Sequence, residues 1–207
     1  MKNQRITGKI LAAVFVIVAV TAFKSCVSMG SDDIPKLVEY VSSGNYFKCS
    51  IPAEWSVHHQ VFGLSEEQKK VYGVTLFGPQ ENGSPVNPVI SIHYYAPGNL
   101  LHKTMDIFIR RNSGPALGFV LEGQSYGEVR QIESAGRKAK TFERIDLRFI
   151  GEEAINMPKV SIFERFIVIP AEKNAGFYVL RLSAPVEIIG EYTGIFDETI
   201  KSFLPER

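Results

Sequence analysis

The chain has 207 residues, of which 23 are basic and 22 acidic, giving a formal net charge of +1. That balance excludes the electrostatic footprint of a nucleic-acid binder, or of a protein held to an anionic membrane by charge. With 45% hydrophobic residues and two cysteines, it has the composition of a globular chain that needs no disulfide framework.

Lys2, Arg5 and Lys9 precede an uncharged run from Ile10 to Phe23, with Cys26 close behind. A basic flank, a short apolar block and small residues after it form an export signal or membrane anchor, assigned to residues 1–25. The run is short for a bilayer span, which wants about 20 apolar residues. Three fates stay open. A signal peptidase could cut after Ala22, Cys26 could carry lipid as in a lipoprotein, or the segment could stay as an anchor. Cys26 and Cys49 could instead pair, since an oxidising compartment permits a disulfide. Lipid on Cys26 would exclude that bond. The location expected is the cell envelope outside the cytoplasm, periplasmic or membrane-anchored.

Residues 26–45, with Pro35 and Ser42-Ser43-Gly44, read as a tether or a single helical turn. Its extended reach keeps the domain within about 50–60 Å of a membrane. A single domain then runs over 46–207.

Strand patterns dominate its first half. Tyr46 to Ile51 and Trp55 to Val61 flank a turn at Pro52-Ala53-Glu54, and Val71 to Phe77 follows. In Val89 to Tyr95, Ile90, Ile92 and Tyr94 alternate with Ser91 and His93, as on a sheet with one solvated side. Helical spacing replaces alternation at Leu101, Met105, Phe108 and Ile109, and Ser113-Gly114-Pro115 ends that helix. Four more strands are expected over Gly127 to Ser134, Lys138 to Ile150, Val160 to Ile169 and Phe177 to Ser183. The run Phe163 to Ile169 is apolar enough for a central strand. Ile189, Tyr192, Phe196, Ile200 and Phe203 then recur at helical spacing, giving a long C-terminal helix. The fold class expected is α+β, an antiparallel sheet with flanking helices.

The strand leading into Ile51-Pro52-Ala53-Glu54-Trp55 resembles the opening of the PsbP-like fold family. So do Gly176-Phe177-Tyr178-Val179-Leu180 and the closing helix with Tyr192, Phe196 and Ser202-Phe203. That family includes the extrinsic subunit of the oxygen-evolving photosystem, a nuclear factor acting on the Ran GTPase, and bacterial envelope proteins of unknown function. The resemblance implies a non-catalytic binding or assembly factor, names no partner and assigns no functional residue; the partner expected is an unidentified protein of the envelope. Trp55 reads as a core anchor.

Chemistry is sparse. Gly123-Gln124-Ser125-Tyr126-Gly127 matches G-x-S-x-G, which would make Ser125 the nucleophile of an envelope serine hydrolase. All four histidines, at 58, 59, 93 and 102, precede Ser125, against the chain order of that class. The adjacent pair His58 and His59 cannot chelate one ion from a strand, and no paired C-x-x-C or H-E-x-x-H occurs. Glu143, Asp146, Glu152 and Glu153 read as a solvated face, and Arg137-Lys138-Ala139-Lys140 as a basic turn. Without a phosphate-cradling loop no cofactor is expected. The function expected is an exported, membrane-associated accessory module of the bacterial envelope, with a serine hydrolase or a small-ligand carrier as alternatives.

Overall fold

A computed structural model describes residues 35–58, 63–80, 84–116, 118–150, 159–172 and 175–205. All of them fall within one unit, Ile34–Arg207.

Among the described residues, eleven strands and three α-helices follow one another as β1 (Leu37–Val41), β2 (Phe47–Pro52), β3 (Ser56–Val57), α1 (Glu66–Lys69), β4 (Val71–Phe77), β5 (Val89–Tyr95), α2 (Met105–Asn112), β6 (Ser125–Tyr126), β7 (Arg130–Ser134), β8 (Arg137–Phe149), β9 (Lys159–Pro170), β10 (Phe177–Pro185), α3 (Ile189–Ser202) and β11 (Leu204–Pro205). The larger sheet is antiparallel, in the order β3-β4-β5-β10-β9-β8-β6, with β7 also paired to β8. The smaller one is β1-β2-β11, also antiparallel. The α+β expectation holds, and α3 spans 14 residues.

Residues 37–41 are therefore not tether. Leu37-Val38-Glu39-Tyr40-Val41 pairs with β2 from Leu37↔Pro52 to Val41↔Lys48. Of the strand expected over Trp55 to Val61, β3 covers Ser56–Val57, and residues 59–62 lie outside the described ones.

Each face of the large sheet carries its own core. On one, Ile90, Ile92 and Tyr94 of β5 and Tyr178, Leu180 and Leu182 of β10 pack with Phe47, Tyr192, Phe196 and Phe203. This face receives α3 because Tyr192, Ile195, Phe196 and Thr199 form its buried stripe. The α3 helix has no side-chain N-cap and two glycines, so packing is what holds it. Arg165 Nη1 to Asp197 Oδ1 at 3.1 Å, and the Ser50 amide to Ser202 Oγ at 2.8 Å, pin it to the sheets. Trp55 is the expected core anchor, 7% exposed and edge-on to Tyr192 at 5.7 Å.

On the opposite face, α2 covers Val71, Tyr95, Phe142, Phe166, Val168, Phe177 and Val179 with Phe108 and Ile109. Thr104 caps α2, its Oγ1 accepting from the Ile107 amide at 3.2 Å. Lys140 Nζ to Asp106 Oδ1 at 3.0 Å ties the helix to β8. This second core overturns the solvated side expected for β5, where Ser91 is only 4% exposed. A strand covered on both faces hides the polar half of its alternation under other elements.

Candidate functional site

The α2-side face of the large sheet is apolar under α2 and polar beyond it. Register places Thr75 of β4, Ser91 of β5 and Arg181 of β10 opposite one another in turn. The next row runs Ser183, Glu164, Arg144 and Tyr126 across β10, β9, β8 and β6. Because alternate residues share a face, these side chains form one polar field.

Its centre is a shared carboxylate. Arg144 Nε donates to Glu164 Oε2 at 2.6 Å, while Arg181 Nη1 reaches Glu164 Oε1 at 3.5 Å. Arg144 also donates from Nη1 to the Asn112 carbonyl at 3.3 Å and lies over the Phe166 ring, 5.4 Å from its centroid. At the far end Gln124 Nε2 holds Asp146 Oδ1 at 2.7 Å.

At the β4 edge the field opens into a groove of about 720 Å³. Gly73, Thr75, His93 and Tyr95 contribute to its floor, with Leu64, Glu66 and Lys69 around α1 and His58 after β3 on its sides. The walls are preformed. Ser65 and Gln68 make a reciprocal capping box that starts α1. Glu66 Oε1 then accepts the Gly73 amide at 3.1 Å, fastening the helix to β4. Gly73 is required there: at φ +152 a Cβ would lie 2.0 Å from the Ile92 carbonyl oxygen.

His93 titrates low, at about 4, chiefly because burial disfavours its charged form and then because Arg181 and Lys69 repel it. His102 is lowered by burial and by Arg111, and packs edge-on to Phe108 at 4.9 Å. The two histidines flank Tyr95, at ring distances of 6.4 and 5.6 Å. His58 lies edge-on to Phe77 at 5.2 Å.

Ser125 is an exposed residue of β6, opposite Ile145. Strands β7 and β8 follow it, where a nucleophile elbow needs a helix. His93 stands on β5, four strand spacings from β6 and so about 19 Å away. No described histidine is placed by the sheet to activate Ser125. Among the described residues no group of three His, Cys, Asp or Glu could hold a metal ion.

Cys49 is in the core, 2% exposed, and burial pushes its thiol up to about 12. Cys26, His59, Glu152 and Glu153 lie outside the described residues, and with Cys26 both the lipid and the disulfide expectations. Glu143 is 3.9 Å from Arg165, and Asp146 is engaged as above. Sequence reasoning missed Gly73, Arg181 and Glu164. Only the Ser65-x-x-Gln68 capping signature advertised the groove wall.

No protein-family model and no curated protein matches the chain. Among solved structures it is similar to cyanobacterial PsbP (CyanoP) from Synechocystis, at 17% identity and a TM-score of 0.47, over 86% of this chain and 98% of that one. It is also similar to LpqN of Mycobacterium tuberculosis, described as involved in cell envelope biogenesis. That match has 13% identity and a TM-score of 0.41 over 83% of this chain and 91% of LpqN. A protein from Bacteroides thetaiotaomicron matches at 10% identity and a TM-score of 0.45 over 82% of this chain. The chain spans about half of that protein, 48% of its length. The PsbP-like fold read from the sequence is among the solved structures to which the chain is similar, and that likeness bears on no activity or partner.

Proposed function

We propose that the chain is an exported, membrane-associated module of the cell envelope that binds a partner protein in the groove beside β4. The observation that carries this reading is the groove itself: about 720 Å³, open at the sheet edge, and lined by polar and apolar side chains together. Its walls are set before any ligand arrives, by the α1 capping box and the Glu66 to Gly73 bond. A site ordered in advance spares the entropy of ordering on binding. The basic flank, apolar run and small residues before Cys26 support export and attachment at the N-terminus. The side chains around the groove are suited to holding a chain segment through hydrogen bonds and an apolar anchor.

The test is capture of the C-terminally tagged full chain from native membranes after mild cross-linking. One dominant, roughly stoichiometric partner that is lost when Thr75→Trp fills the groove supports the reading. A partner indifferent to that substitution, or none above background, overturns it.

A further inference from the structure

We propose that the groove floor reads an oxyanion, a carboxylate or phosphate group carried by the bound partner, through the guanidinium of Arg181. This rests on the groove being the binding site, and adds the chemistry of what it takes.

The register brings Arg181 to the place. It stands across from Ser91, which stands across from the groove residue Thr75, all on one face. His93 is the next residue along β5 on that face. The Arg181 charge acts on both His93 and Tyr95, two residues of the groove.

Donor accounting shows why Arg181 differs from its neighbour. Arg144 takes Glu164 Oε2 with Nε and Nη2 and spends Nη1 on the Asn112 carbonyl. Arg181 has one contact to the same carboxylate, at the 3.5 Å limit of a hydrogen bond. Its Nε is buried without a partner, while the side chain as a whole is 35% exposed. Two guanidiniums thus share one carboxylate, and the weakly held one stands two strands from the groove residue Thr75 on the same face of the sheet. A guanidinium has five donors in a planar fork that fits an oxyanion, and burying unmet donors costs free energy. The other carboxylate of the polar field, Asp146, is on β8 at the far side and is engaged by Gln124 and by the Leu147 amide. It is not available to balance Arg181. Glu66 and Glu67 of α1 lie on the groove wall beside Lys69, and Glu66 is spent on the Gly73 amide.

His93 is the reporter. Its imidazole titration is followed by NMR on the full chain with glutarate, with inorganic phosphate, and with sodium chloride at matched ionic strength. An oxyanion on Arg181 offsets the cations around His93, so its pKa rises by about one pH unit. The response is absent in Arg181→Gln and weakened in Arg181→Lys, which keeps the charge but loses the fork. Arg181→Lys carries the comparison should the glutamine variant fail to fold. A response to glutarate alone assigns a carboxylate, and one to phosphate alone a phosphate group. His93 unmoved by either probe, or moved equally in Arg181→Gln, overturns the proposal. If that happens while the captured partner stays sensitive to Thr75→Trp, the oxyanion is lost and the groove reading stands.

Discussion

Glu164 of β9 lies directly across from Arg144 of β8 and accepts its Nε at 2.6 Å, with the carboxylate side chain only 5% exposed. Removing the carboxylate leaves Arg144 its bond to the Asn112 carbonyl and takes away its paired charge, beside the Phe166 and Phe142 rings stacked at 4.6 Å. Breaking a buried pair from one side costs about 3–5 kcal/mol. Glu164→Ala is therefore expected to lose that much in urea unfolding. A loss below about 1 kcal/mol, the range of exposed pairs, would show that water already screens the pair.

The histidine in the groove makes stability fall in mild acid. His93 has a folded pKa near 4 against an ordinary 6.5, so the unfolded chain binds the proton first. Stability is then fully present above pH 6.5 and declines as pH falls toward 4. The full loss is up to about 3 kcal/mol, from 1.36 kcal/mol per pH unit. His102 is lowered in the same sense, so the contribution of His93 is the difference between wild type and His93→Asn. Matching slopes of unfolding free energy against pH in the two proteins would contradict the assignment.

Gly73→Ala should be among the costlier single substitutions. The added Cβ meets the Ile92 carbonyl oxygen at 2.0 Å, which is backbone and cannot swing away. Gly136→Ala is the control, since it shares a positive φ, +68, but nothing lies within 4 Å of its Cβ. The control measures left-handed strain alone, about 1–2 kcal/mol. Gly73→Ala is expected to exceed it in thermal or denaturant unfolding, and an equal cost would mean that β4 simply shifts away from β5.

Much of the strand framework was legible because alternation and breakers agreed. Val71 to Phe77 and Val89 to Tyr95 are the observed limits of β4 and β5. The Phe163 to Ile169 run is indeed interior, in β9 between β8 and β10. Leu37 to Val41 was lost because Pro35 and Ser42-Ser43-Gly44 make a short strand look like linker. Its pairing with β2 is a tertiary fact. The site was hidden for the same kind of reason. Arg144, Asp146 and Arg148 alternate like a solvated face, and only cross-strand register reveals that Arg144 meets Glu164 while Arg148 is exposed. Gly123-Gln124-Ser125-Tyr126-Gly127 carried a motif whose meaning depends on the element after Ser125, and that element is a strand.

Cys49 should behave as a silent thiol. In a Cys26→Ser chain, which isolates Cys49, a thiol reagent at pH 8 should react no faster than the fold opens. Burial pushes this thiol to about 12, and only the thiolate attacks. Rapid, complete labelling of the native protein would place Cys49 at the surface and contradict its packing with Phe47 and Ile51.

The central claim is that the groove beside β4 is where the partner sits. Its most direct test is site-specific photo-cross-linking in native membranes, with the photoreactive residue at Leu64 in the groove or at exposed Lys138 on β8. The account predicts one dominant adduct from position 64, suppressed by Thr75→Trp, and no such adduct from position 138. The same adduct from both positions, or from 138 alone, would contradict it.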